Sequence, residues 1–470
     1  MVEQRREDNE TVMTLGYKLS RTMGVIALVL ALSGAGSAAD AGIFNPQTFT
    51  LANGMQVVVV PNHRVPVVNH MVWYKVGSAD DPPGKSGIAH FLEHLMFKGT
   101  KTLASGEFSR RVARNGGREN AFTSTDYTGY FQTVAVDRLE LVMGMEADRM
   151  TNLVLTEEDV RTERLVILEE RRQRTDNDPS AILSEHVSAA LYINHPYRVP
   201  VIGWEHEIKG LDRNSILSFY RQRYAPNNAI LVVSGDITAD RLRPLAEKYY
   251  GAIPRAPTPP RVRPQEPPHR AARGVVLEDA RVRQPSWSRS YLAPSYSAGA
   301  TEHAYPMQVL AQILGGGATS RLYRTLVVES KLATSAGAYY GPGRLGPSSF
   351  SVYASPLPGI ELDVLQKAVE EQLERLLMDG VSGDEVERAK SRMQSRAIYA
   401  RDSLRAGGRV LGSALAAGRT IEDAEAWPER IGAVTVKEID AAARAVLRDG
   451  HSVTGRLLPE GEPKKERQRP

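Results

Sequence analysis

The residues best able to do chemistry lie in the run Gly-Ile-Ala-His-Phe-Leu-Glu-His-Leu-Met-Phe, residues 87–97. His90 and His94 are four positions apart. On a helix that spacing puts both imidazoles on one face, one turn apart. Two such nitrogens can reach one zinc ion at about 2.0–2.1 Å. Glu93 stays near the same face. Its carboxylate can take a proton from a water that a metal has acidified toward a pKa of about 7. The chain has no cysteine. Thiolate sites, disulfides and cysteine nucleophiles are therefore excluded, and a transition metal must be held by His, Asp or Glu. A catalytic zinc takes three protein ligands and keeps one position open, so a third ligand must come from elsewhere. The run TEEDVRTERLVILEER, residues 156–171, offers candidates. Glu163 and Glu170 are two turns apart on one helical face, while Glu169 points about 100° away.

These side chains need a frame. Helical patterns cover residues 88–97, 136–152, 157–174 and 213–222, and later 304–314, 360–378 and 383–399. Apolar runs at residues 55–60, 67–76, 229–234 and 350–354 predict strands. The mixture predicts an α+β protein, with mostly antiparallel sheets covered by helices. Residues 254–270 read PRAPTPPRVRPQEPPHR. Proline fixes φ and removes amide donors, so this stretch predicts an extended linker. It divides the chain into domains at residues 42–253 and 271–458. The polar end, residues 459–470, predicts a disordered tail.

The 470 residues carry 59 Lys and Arg against 55 Asp and Glu, a net charge of +4. That bias is too weak for a nucleic-acid partner. Near the start, Lys18 and Arg21 precede an apolar run over residues 23–32, followed by small residues up to Gly42. This pattern predicts an export signal over residues 1–39, with cleavage after Ala38, Ala39 or Ala41. It implies a periplasmic or secreted protein with no stable membrane span once the signal is removed. An uncleaved anchor is the alternative, although the run is short for a span.

The motif H-x-x-E-H, followed downstream by E-R-x-V-x-x-x-E, resembles the inverzincin peptidases. That family includes pitrilysin, insulin-degrading enzyme and the mitochondrial processing peptidase. The resemblance implies that His90, His94 and Glu170 bind one Zn2+ per chain. It implies that Glu93 is the general base and that Glu163 is the carboxylate behind the ligands. Residues 119–131 resemble the family's N-A-x-T-x-x-D-x-T-x-Y strand. By that likeness Asn120, Ala121, Phe122 and Thr123 form an edge strand that pairs with an extended peptide substrate, a pairing that unpaired edge amides and carbonyls favour. The loop H-P-Y-x-x-P-x-x-G from His195 to Gly203 also matches, as do Ser320-Arg321-Leu322-Tyr323 and Glu385 with Ala389-Lys390. The family fold implies two homologous domains forming one half of a clamshell.

One departure matters. Complete enzymes of this family carry an Arg and a Tyr, seven residues apart, that reach the substrate carbonyl. Here Val327 and Thr334 stand in those places. The resemblance therefore implies the zinc-bearing, catalytic subunit of a heterodimeric endopeptidase acting on peptides or unfolded polypeptides. A homologous partner would supply the Arg and Tyr. The alternative is a non-catalytic structural or processing-complex subunit of the same fold.

Overall fold

The computed structural model describes residues 42–461. The expected export signal, residues 1–39, lies outside the described residues, as do residues 462–470 of the expected tail. The described residues from Ile43 onward form one compact unit, built on two large sheets. The first holds β1 (Gln47–Thr50), β2 (Gln56–Pro61), β3 (Val67–Tyr74), β5 (Arg118–Thr123), β6 (Thr128–Ala135) and β8 (Ala229–Gly235). Its strand order is β1-β2-β8-β3-β6-β5. A short separate ladder pairs β4 (Gly99–Thr100) with β7 (Leu153–Val154). The second sheet holds β9 (Arg273–Asp279), β10 (Ser286–Ala293), β11 (Ala333–Tyr340), β12 (Ser348–Pro356) and β13 (Ser452–Pro459), in the order β11-β12-β10-β13-β9.

The two sheets repeat one topology. Strands β2, β3, β5, β6 and β8 correspond in chain order and in pairing to β9 through β13. In each sheet one pair is parallel, β2 with β8 and β13 with β9, and the other corresponding pairs are antiparallel. The α+β class and the two-domain architecture thus stand as expected. Residue identity between the halves is too faint to reveal the repeat, because a sheet requires only the right polarity at each position.

Each sheet is covered on both faces. Strand β8, Ala-Ile-Leu-Val-Val-Ser-Gly, is buried at every position, which explains its continuous apolar run. One face of the first sheet packs under helices of its own half, including Leu139–Thr151 and Arg213–Arg223. Its other face is covered from the second half. There the helix Ala406–Ala416 lays Leu411, Ala414 and Leu415 on Val58, Met71, Trp73, Ile230 and Val232. The exchange is reciprocal. Helix Pro179–Leu191 of the first half packs Leu183, Val187 and Leu191 against Val453 and Leu457 of the second sheet.

Residues 254–270 contain no helix or strand. Their extended path follows from the prolines, but the stretch is bound tightly to the first half. Arg263 inserts between Asp80 and Asp126, at 2.9 and 3.0 Å. Glu266 accepts the backbone N–H groups of Ile193, Asn194 and His195. The stretch is a strap held to the first half by Arg263 and Glu266.

Candidate metal centre

The H-x-x-E-H segment forms the helix Ile88–Leu95. Its Phe91, Leu92 and Leu95 are fully buried, so the apolar positions orient the polar ones. Gly87 precedes the helix at φ +83°, where a Cβ would lie 2.4 Å from the Ile202 carbonyl oxygen. Only glycine fits that turn. The first helical amides are held by a carboxylate from the preceding loop. Asp81 accepts the N–H of Gly87 at 2.7 Å and of Ala89 at 3.1 Å. This satisfies donors that a helix start leaves unpaired. On the other side Gly203 (φ +91°) would drive a Cβ into the Ser86 carbonyl. The His195–Gly203 loop is therefore a close-fitting buttress for the motif helix.

The second helix, Glu157–Arg171, begins with a capping box between Thr156 and Asp159. Arg171 anchors its far end. The guanidinium donates to Glu185 and to the Gly203 carbonyl, each at 2.9 Å. Its neighbour Glu170 is thereby held over the motif helix.

Nitrogen atoms of His90 and His94 and a carboxylate oxygen of Glu170 all lie within 4.8 Å of one another. His94 Nε2 is 3.3 Å from Glu170 Oε2, and His90 Nε2 is 3.7 Å from it. Tetrahedral zinc with bonds of about 2.0–2.1 Å spaces its ligands about 3.3 Å apart. Glu170 Oε1 takes a contact from Arg174 at 2.7 Å, whereas Oε2 is buried with no hydrogen-bond partner. An orphaned carboxylate oxygen facing two imidazoles fits a divalent cation.

Glu163 stands behind this cluster. It accepts the Nδ1–H of His94 at 3.0 Å and an ion pair from Lys98 at 2.7 Å. A proton held on Nδ1 leaves the Nε2 lone pair free for a metal. The His94 hydrogen bond, helped by Lys98, outweighs burial and brings the Glu163 carboxyl down to about 2. Burial opposes the charge on His94 as well, but the carboxylates of Glu163 and Glu170 raise it to about 9. Burial and the nearby His94 lower His90 to about 4. Lys98 and Arg174 each lie 2.7 Å from one of the two carboxylates, Glu163 and Glu170, and offset their charge.

Glu93 is 8% exposed. Burial raises its carboxyl above the ordinary range, partly offset by a hydrogen bond from Thr123. That bond runs from Thr123 Oγ1 to Glu93 Oε2 at 2.5 Å. Thr123 ends β5, which lies at the edge of the first sheet. Side chains alternate along the strand. Ala121 and Thr123 turn toward the motif helix, whereas Phe122 packs on Trp73 on the opposite face, with ring centroids 4.9 Å apart. Asn120 is exposed, and its Oδ1 accepts the N–H of Ala121.

His195 stands apart from the cluster. It is fully buried against Tyr197, with ring centroids 4.1 Å apart. Burial and the Arg263 charge hold it down to about 4, so it is a neutral packing residue. Thr334 Oγ1 accepts from Gln284, Arg324 pairs with Glu329, and Tyr340 donates to the Pro294 carbonyl. Arg174 lies four residues beyond the Glu170 it contacts, a spacing visible in the sequence, whereas Lys98 reaches Glu163 across from the end of the motif helix. The Thr123–Glu93 contact spans 30 positions and leaves no local signal.

Residues 56–204 match Insulinase (Peptidase family M16), and residues 210–393 match Peptidase M16 inactive domain. Zinc protease PqqE of Helicobacter pylori is 33% identical over 380 residues, 80% of this chain and 84% of that protein. The chain belongs to peptidase family M16, the insulinase family. The crystal structure of a protease from Helicobacter pylori superposes with a TM-score of 0.83 at 31% identity, covering 88% of this chain and 99% of that one. The periplasmic protease PqqL from Escherichia coli has the same fold at 20% identity and a TM-score of 0.75. That match covers 88% of this chain but only 47% of PqqL.

Proposed function

We propose that this chain is a zinc-dependent endopeptidase subunit, exported to the periplasm or beyond, that hydrolyses peptides or unfolded polypeptides. The observation carrying the reading is the three-donor cluster of His90, His94 and Glu170, with Glu93 one residue from a donor. Zinc held there would polarise the scissile carbonyl and acidify a water. Glu93 takes the proton from the attacking water and returns it to the leaving amine. Thr123 holds one oxygen of Glu93, and Glu163 holds the His94 tautomer. The free edge of β5 receives the substrate backbone as an added strand. Phe122 turns its side chain away, so its part in that pairing is its backbone.

The chain acts with a homologous partner. Val327 and Thr334 leave it without the Arg/Tyr pair, and oxyanion donors are worth about 2.7–4 kcal/mol each. The likeness to about half of PqqL supports the same division. Export rests on the pattern of Lys18, Arg21 and the apolar run at residues 23–32, together with the likeness to a periplasmic protease. No helix among the described residues is long and apolar enough to cross a membrane.

The test is zinc analysis with cleavage of a quenched peptide, using the pure chain with and without its partner. One zinc per chain, cleavage only with the partner, and loss of cleavage in Glu93→Gln with zinc retained are expected. A chain that binds no zinc and adds no activity to any partner would leave the structural-subunit reading in its place.

A further inference from the structure

The repeated fold builds a second corner of two helices and an edge strand. Helix Ala304–Gly315 packs on edge strand β11 and on helix Gly383–Ala400. In the same way the motif helix packs on edge strand β5 and on Glu157–Arg171. Where the first corner places His90 and His94 one turn apart, the second places Gln308 and Gln312. His94 faces Glu170 at 3.3 Å, whereas Gln312 Oε1 accepts from the Arg396 guanidinium at 3.2 Å. The charge of the corner is inverted. A guanidinium beside the amides repels a cation and offers only donors, which suits an anion.

This corner opens into a groove of about 640 Å³. A second guanidinium, Arg419, lines it, lying 4.0 Å over the Tyr296 ring and donating to the Asp423 carbonyl at 2.7 Å. A guanidinium has five N–H donors, so both arginines retain donors for a ligand. Among the described lining residues there is no aspartate or glutamate, and much of the wall is apolar, including Ala311, Met393, Val410 and Trp427. Planar donors beside an apolar wall match a carboxylate attached to a bulky apolar group.

We propose that this groove binds the free C-terminal carboxylate of a peptide. The carboxylate lies on Arg396 and Arg419, and the last apolar side chain packs against the aromatic wall. The choice of a peptide over other amphiphilic anions rests on the peptidase reading, since each hydrolysis creates a new C-terminal carboxylate.

The experiment uses the full chain carrying Glu93→Gln, so that no probe is cleaved. Fluorescence anisotropy compares a short peptide ending in a free phenylalanine carboxylate with its C-terminal amide, and dodecanoate serves as competitor. The acid is expected to bind about tenfold or more tighter than the amide, as for hydrogen bonds to a charged group. Arg396→Gln and Arg419→Gln should each reduce that preference. Ala397→Trp, which fills the groove, should remove acid binding while zinc content and melting temperature hold. Equal binding of acid and amide, or a preference that survives both arginine substitutions, overturns the proposal. So does dodecanoate displacing the peptide while binding more tightly than it. Binding is read without turnover, so absent hydrolysis by the unsubstituted chain together with its partner refutes the peptidase reading and leaves this result standing.

Discussion

Thr123 at the end of the edge strand donates its hydroxyl to Glu93 Oε2 at 2.5 Å. The strand expected to bind substrate is thus the element that orients the expected base. A hydrogen bond to a charged group is worth about 1.5–3 kcal/mol. Thr123→Val should therefore lower kcat about ten- to hundredfold while leaving KM and zinc content near normal. Thr123→Ser keeps the hydroxyl and should restore most of the rate. Steady-state kinetics of the partnered enzyme checks this. A serine variant as slow as the valine variant would show that the methyl group, not the hydroxyl, matters.

Glu163 acts one step behind the donors. Gln at that position keeps the shape but removes the charge that fixes the proton on His94 Nδ1. Outer-shell carboxylates of this kind are worth about 10–100-fold in metal affinity. Glu163→Gln should weaken zinc binding by that factor, measured by competition with a chelating dye. Unchanged affinity would reduce Glu163 to a partner of Lys98 alone.

How far the sequence reveals this site depends on range. His90, Glu93 and His94 are legible because one helical turn relates them. Glu163 and Glu170 are legible as one face of one helix, although the residues alone do not decide which of them is the ligand. Asp81, Thr123 and the strap residues Arg263 and Glu266 act across loops or between strands. Their partners are set by tertiary packing, which periodicity does not encode. The same limit hides the repeated topology, since β2 and β9 share a place in their sheets and little else.

The family-like residues Arg321 and Glu385 of the second half form a pair whose strength depends on pH. Arg321 donates to both Glu385 oxygens, at 3.0 and 2.7 Å, and Glu385 also accepts the N–H of Ser382 at 2.9 Å. Burial works to raise the carboxyl, but Arg321 and Ser382 outweigh it and bring it down to about 2 from 4.5. A depressed carboxyl stabilises the fold above its unfolded pKa and loses that contribution as pH falls. The melting-temperature gap between the native chain and Glu385→Gln should be full above about pH 4.5 and narrow toward about pH 2. A constant gap across that window would mean that Glu385 acts through shape alone.

Helix Ala406–Ala416 is the element least legible in the sequence, and it yields the sharpest stability test. Gly407, Gly408 and Gly412 argue against a helix, since interior glycine costs about 0.5–1 kcal/mol relative to alanine. The glycines let the helix lie close on side chains of the first sheet. A Cβ at Gly412 would stand 2.2 Å from the Trp73 ring, and one at Gly408 would stand 2.9 Å from Met71 Sδ. Trp73 is 1% exposed and packed against Phe122 of the edge strand, so it has little room to move. Propensity alone predicts that Gly412→Ala stabilises the chain. Overpacking of a filled core costs about 1–3 kcal/mol and should win. Gly383, at the start of helix Gly383–Ala400, has open space where its Cβ would be, so Gly383→Ala should be neutral or slightly stabilising. Thermal melts of the two variants should move in different directions. If Gly412→Ala melts at or above the native temperature, the helix does not sit as close to Trp73 as the packing requires. Because Trp73 bears on Phe122, one residue before Thr123, the same variant should lower peptide cleavage in the partnered enzyme at temperatures well below its melt.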